Sequence, residues 1–314
     1  MKSIRKLPLL AAALALTLAL ETGAAAAPST ADSQTTAVDQ AAKSTAFANA
    51  VYNKAETLLK KKDGLAYAKS YITKNIHHLT KSQATRIVLK LENAVNAGIA
   101  GNTDKLLKER YQLSLRTTFK QGSSITTVLN RTKDTQLRAL LADLKDSGYK
   151  LRALEGSVYP IVDYNSFKPY QPYVNKDIQR YIDMMSTESS NPSVGDAALL
   201  ISWSEVIERA LVQESFIRSF PVSNRSRSVA SMYDASLAYL FYGMPNTPLF
   251  SYDTKKLDPD ARTAFDKLLA KKGLSNNSLR QKLKAWSDVL KQNGDKLTAQ
   301  VDKHRRASVP NKIW

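Results

Sequence analysis

The densest set of groups able to do chemistry lies in Trp203-Ser204-Glu205-Val206-Ile207-Glu208-Arg209. Two carboxylates can divide into acid and base when their surroundings separate their pKa values. The loop after Pro221 adds Asn224, Arg225 and Arg227, cations suited to holding an anion. Trp203, Glu205, Glu208, Arg209 and Arg225 therefore form a candidate pocket of hydrolase-like type. The same residues have a plainer use. Glu205 with Arg209, and Glu214 with Arg218, stand four apart, the spacing of ion pairs on a helix surface, and this reading outweighs the enzymatic one. His77 and His78 are adjacent, so on a helix they point about 100° apart and cannot share a metal as an i,i+4 pair does. His304 sits in a basic tail. There is no His-Glu-x-x-His, no phosphate-binding glycine loop and no Gly-x-Ser-x-Gly elbow. With no cysteine in the chain, thiol chemistry is excluded. Neither a metal nor a cofactor is expected.

The second kind of chemistry is electrostatic. Lys60-Lys61-Lys62 lies at one helical hairpin, with Lys69 and Lys74 on the next helix. Lys271, Lys272, Arg280, Lys282 and Lys284 form another group, and Lys303, Arg305 and Arg306 a third near the end. The formal charge is +18, and loss of residues 1–26 would remove three cations and one carboxylate, leaving +16. Residues 28–157 hold 21 Lys and Arg against 11 Asp and Glu; residues 174–266 hold 9 against 12; residues 267–314 hold 12 against 3. Basic ends flank an acidic middle, so the ends are expected to attract anionic material. Tyr67, Tyr71 and Tyr111 near the first group could stack on sugars, although tyrosines at helical spacing more often face a core.

The elements that position these groups read as helices. Apolar residues recur at helical spacing from Val38 to Leu59, Leu65 to Leu79, Ile87 to Val95, Leu107 to Phe119, and Leu137 to Leu151. Ser82 and Thr103-Asp104 are the expected caps, and the fifth helix starts near Thr132. Residues 156–173 interleave Pro160, Pro169 and Pro172 with Tyr159, Tyr164, Tyr170 and Tyr173, which disfavours helix and marks a packed junction. Helical patterns resume at Val174, from Asp196 to Phe220, from Val229 to Gly243, from Asp258-Pro259 to Gly273, and from Ser278 to His304. No strand-period alternation of useful length stands out. The expected fold is all-α: a basic bundle over 35–155, the Tyr/Pro junction over 156–173, and a second helical domain over 174–314.

The first residues read as an export signal. Lys2, Arg5 and Lys6 precede an apolar run from Leu9 to Leu20, and small residues follow up to Ala27. Cleavage after Ala26 would leave small residues at both peptidase-specificity positions, with residues 27–34 a flexible leader. The apolar run is shorter than the roughly 20 residues that span a bilayer, and no later segment is apolar enough, so no transmembrane span is expected. An exported, cysteine-free chain fits a Gram-positive cell surface. There the anionic partner is a wall polymer or lipid headgroup, with nucleic acid second on grounds of compartment.

Leu91-Glu92-Asn93-Ala94-Val95, then Asp104-Lys105-Leu106, Tyr111, Arg116 and Thr126-Thr127-Val128-Leu129-Asn130-Arg131, resemble the helical part of SbsC-type S-layer proteins. The likeness covers about 65 residues within 84–150. It implies a basic helical region that binds anionic secondary cell-wall polymer. The chain departs from those proteins in lacking their β-rich lattice domains, so the implied role is wall binding without a lattice. Three functions follow as expectations: noncatalytic attachment to anionic wall polymer, a hydrolase-like site at Glu205 and Glu208, or a protein-interaction module in envelope or spore assembly that docks through the Tyr/Pro segment.

Overall fold

The computed structural model describes residues 30–271 and 278–309, with side chains from Ser44 onward. Thirteen α-helices and six short strands lie among them, and no described helix is long and apolar enough to cross a membrane. The expected signal segment over 1–26 lies outside the described residues. Residues up to Thr45 and residues Ala46–Trp314 form two compact units. Helix α1 (Thr30–Leu59) begins in the first, inside the expected flexible leader.

In the larger unit, α2 (Leu65–Asn75) leads through a 3-10 turn at Ile76–His78 to α3 (Lys81–Ala97). Thr80, not Ser82, caps α3: its hydroxyl accepts from the Gln83 amide while the Gln83 side chain accepts from the Thr80 amide. The expected single helix from Thr103 to Phe119 is two, α4 (Ile99–Leu106) and α5 (Glu109–Thr118), parted by extended backbone at Lys108. α6 (Ile125–Arg131) and α7 (Thr135–Ser147) follow, each with a capping side chain, Ser124 and Asp134.

The expected all-α class holds, with thirteen helices and little strand, but one stretch departs from it. The fifth helix does not reach Leu151. Gly148 takes φ +97°, a left-handed end that closes α7. An antiparallel hairpin follows, β1 (Tyr149–Leu154) paired with β2 (Ser157–Val162) from Tyr149↔Val162 to Leu154↔Ser157. Glu155 and Gly156 both take positive φ, as a two-residue turn requires. The prolines of the next segment fall in a 3-10 helix over Tyr164–Tyr173, whose Tyr164, Phe167 and Tyr170 are buried in the core of the first half. Of the tyrosines in this candidate docking segment, Tyr164 and Tyr170 face inward and Tyr173 is 36% exposed.

α8 (Lys176–Ser190) leads to the minimal hairpin β3 (Val194–Gly195) and β4 (Ala198–Leu199), so the helix expected from Asp196 starts instead at Trp203. Asp196 and Ala197 take positive φ at the hairpin turn, and Ser202 caps α9 (Trp203–Ser219). α10 (Ser226–Tyr242), the hairpin β5 (Gly243–Met244) and β6 (Thr247–Pro248), and α11 (Pro259–Ala270) follow, with α11 ending before Gly273. The last expected helix is broken at Gly294 and Asp295, both of positive φ, into α12 (Ser278–Gln292) and α13 (Ala299–Ser308).

Two apolar cores result. The first gathers α1 to α8 with the hairpin and the 3-10 segment, and includes Phe216 and Val229. The second gathers Trp203 to Ala210 of α9, Leu237 to Tyr242 of α10, and α11 to α13. α9 and α10 pack along each other and contribute to both cores. Trp286, fully buried, stacks between Phe241 at 5.0 Å and His304 at 5.7 Å, so His304 belongs to the core side of α13 rather than to a solvated tail.

Gly243 tests the local geometry. Its φ of 78° and ψ of −153° suit glycine alone, and a Cβ there would sit 2.3 Å from the Leu249 nitrogen. Gly243→Ala should lower the unfolding free energy by about 2 kcal/mol or more in a urea titration. Gly101→Ala, in the open flank of α4, should change it by no more than about 1 kcal/mol, and upward.

Candidate functional site

The candidate pocket forms where α8 ends and α9 begins, but not from all the residues expected. Glu205, Glu208 and Arg209 line a cavity of about 430 Å³ with Glu188 at its polar end and Met184, Val212 and Met232 along its apolar wall. Trp203 is 5% exposed and packs in the second core. Arg225 is elsewhere altogether.

Arg209 organises the polar end. Its Nη1 donates to Glu188 Oε2 at 2.6 Å and to Ser193 Oγ at 3.0 Å, and its Nη2 donates to Glu205 Oε1. Ser193 returns two donors to Glu188, through its amide at 2.8 Å and its hydroxyl at 2.7 Å. Asn191 donates to Glu205 Oε1 at 3.2 Å. The α8–β3 corner is thereby fastened to the first turns of α9. Glu205 and Arg209 do form the expected i,i+4 pair. Glu188 and Glu205 both touch one guanidinium, and the exposed Glu208 lies 3.9 Å from Lys271. The arrangement braces a corner. The pair expected between Glu214 and Arg218 is absent among the described residues: Glu214 is buried and accepts from the Leu279 amide at the start of α12.

Arg225, just before α10, meets a group that the sequence reading did not single out as functional. Its Nε and Nη2 donate to Glu92 Oε2 at 3.0 and 2.7 Å, and Nη2 also donates to Asn93 Oδ1. The hydroxyls of Tyr164 and Tyr181 each donate to Glu92 Oε1 at 2.8 Å. Glu92 and Arg225 are almost wholly buried, at 6% and 13% exposure. The available signal was Glu92's place in the stripe of Val88, Leu91 and Val95, where a carboxylate needs buried partners. Burial, then the adjacent Glu92 carboxylate, pushes the Tyr164 phenol up to about 12 and raises that of Tyr181 as well. Burial likewise pushes Tyr170 up to about 12.

The basic residues separate into free and committed ones. Lys60, Lys61, Lys62 and Lys74 are exposed, and Lys61, Lys62 and Lys74 make no ion pair among the described residues. Lys69 is drawn from that group: it is half-buried against Gly148, where burial lowers its pKa against the pull of Asp163. Arg280 donates to the carbonyls of Leu269 and Lys271 at the end of α11. Arg305 pairs with Asp302 and lies over the rings of Tyr242 and Phe250. Arg306 shares Asp302 but stays exposed. Lys284 pairs with Asp288 on the surface, Lys282 is half-buried, and Lys272 lies outside the described residues. No cluster of three or more His, Asp or Glu suited to a metal occurs among the described residues.

Comparison with protein-family models, with curated proteins and with solved structures finds no match to this chain.

Removing one partner of a buried ion pair strands the other. Arg225→Ala should cost about 3–5 kcal/mol in denaturant unfolding. Glu92→Gln with Arg225→Met keeps an acceptor for both phenols without a charge, and should cost less than Arg225→Ala alone. The phenols add a pH dependence. In the unfolded chain they ionise near pH 10, whereas Tyr164 and Tyr170 stay protonated when folded up to about 12. Their contribution is complete below pH 10 and is lost as pH rises toward 12. Unfolding free energies measured across that interval should fall, and the fall should be smaller in Tyr164→Phe.

Proposed function

We propose that the protein is exported and associates, without catalysis, with an anionic polymer of the cell envelope through the basic face of its first half. The observation that carries this reading is the contrast among the cations. Lys61, Lys62 and Lys74 are exposed without an ion pair among the described residues, while Arg280 and Arg305 near the end serve the fold. The first half also holds ten more cations than carboxylates over residues 28–157, which supports a contact surface there. The export-type N-terminus and the resemblance of residues 84–150 to wall-binding helices support the same reading.

Such contacts weaken with ionic strength, because exposed charges are screened over about 10 Å at 0.1 M salt. The purified protein should cosediment with Gram-positive wall sacculi at low salt, less at high salt, and not after the anionic polymer is stripped from them. Replacing Lys60, Lys61 and Lys62 together by Gln should weaken retention at least about tenfold, or about 1.4 kcal/mol. Retention indifferent to salt or to polymer removal would overturn the proposal.

A further inference from the structure

A second concave site lies on the outer face of the β1–β2 hairpin. Along β1, Tyr149 and Leu151 are buried, which leaves Lys150 and Arg152 together on the opposite face. Both line a cavity of about 430 Å³ between the hairpin, the loop before α6, the last turn of α7 and the end of α8. Lys145 of α7 brings a third cation, and Asp163 is the one carboxylate in the lining. Ser123 and Thr126 bring hydroxyls from the start of α6, and Ser189 and Ser190 from the end of α8.

The cations here are poorly compensated. Lys145 has Asp146 at 3.4 Å. Lys150 reaches only the Ser189 hydroxyl and Arg152 only the Val194 carbonyl, each at 3.4 Å. Neither makes an ion pair among the described residues. Both are half-buried, and burial lowers the Lys150 pKa, with Asp163 opposing and Arg152 adding to the effect. Two like charges partly withdrawn from water on one strand face are unfavourable, and an anion entering between them would relieve that cost. Arginine offers a planar fork that matches phosphate oxygens, and lysine a compact charge beside it. The hydroxyls can donate to an anion and can both donate to and accept from a polyol, and the volume suits a small organic ligand.

We propose that this cavity binds a phosphorylated sugar or polyol unit, its phosphate between Lys150 and Arg152 and its hydroxyls on the serine side. The inference rests on the envelope-polymer reading for the source of the ligand, since a phosphate-linked polymer repeats such a unit; a free sugar phosphate presents the same chemistry.

The test is calorimetric titration of the purified protein with glycerol 3-phosphate, glucose 1-phosphate, glucuronate and glucose. Saturable binding of the two phosphorylated compounds is expected, with glucose inert and glucuronate at least tenfold weaker. Lys150→Gln with Arg152→Gln should weaken that binding at least tenfold, and the Lys60, Lys61 and Lys62 triple replacement should leave it unchanged. Should the double variant fail to fold, amide exchange of the wild-type chain gives the answer: the phosphorylated compounds should protect β1 and residues 121–126. No saturable binding, equal binding of glucuronate, equal binding by a folded double variant, or protection elsewhere would overturn the proposal. The two readings fail separately. Sacculus retention that depends on Lys60 to Lys62, without sugar-phosphate binding, sinks the cavity and spares the polymer reading. Sugar-phosphate binding without retention sinks the polymer reading and makes the free compound the ligand.

Discussion

A carboxylate inside an apolar core is tolerable only if its lone pairs are filled and its charge is met, and Glu92 imposes that requirement on most of the first half. The donors come from three places in the chain, Tyr164 in the 3-10 segment, Tyr181 on α8, and Arg225 ahead of α10, all converging on α3. None can be supplied without placing its element. The 3-10 segment must lie against α3, α8 must cross beside it, and the chain must return after α9 so that Arg225 reaches in. Apolar packing tolerates small slides between helices, whereas these bonds of 2.7–3.0 Å do not. Glu92 thus fixes a register that hydrophobic burial alone leaves loose.

The pairing of α9 with α10 sets the next level of organisation. Trp203 to Ala210 and Leu237 to Tyr242 build the second core, while Phe216 and Val229, near the connection between the helices, sit in the first. The Arg209 network secures the start of α9 to the end of α8, and Arg225 secures the start of α10 to α3. Glu214 is a further buried carboxylate, meeting the Leu279 amide at the start of α12.

Much of this was legible in the residues. Helical periodicity locates most helices because burial of one face is decided locally, and Asp258-Pro259 opens α11 as such a pair should. The failures have physical causes. The hairpin escaped notice because Leu144 and Leu151 lie seven apart and so continue a helical stripe across Gly148; the alternation of Tyr149 and Leu151 with Lys150 and Arg152 was the competing signal. That misreading also concealed the basic cavity, since on a helix Lys150 and Arg152 would not share a face. The break between α4 and α5 has no glycine or proline to announce it. Of the candidate pocket, Glu205, Glu208 and Arg209 converge as residues on one helix should, but Arg225 was separated from them by a partner 133 positions away. The basic clusters could be seen in sequence, but which cations are free could not, because a partner such as Asp302 or the Leu269 carbonyl is chosen by tertiary packing.

The sharing of α9 and α10 between two cores also has a mechanical meaning. Where two domains are joined by a tether, tension straightens the tether and leaves each domain relaxed. Here the connection is a pair of rigid rods embedded at both ends, so a pull on one half is borne along helix axes and across interlocked side chains. Extension must begin by shearing one rod from its bed. For a chain held at one face and loaded at the other, that makes the joint a strut.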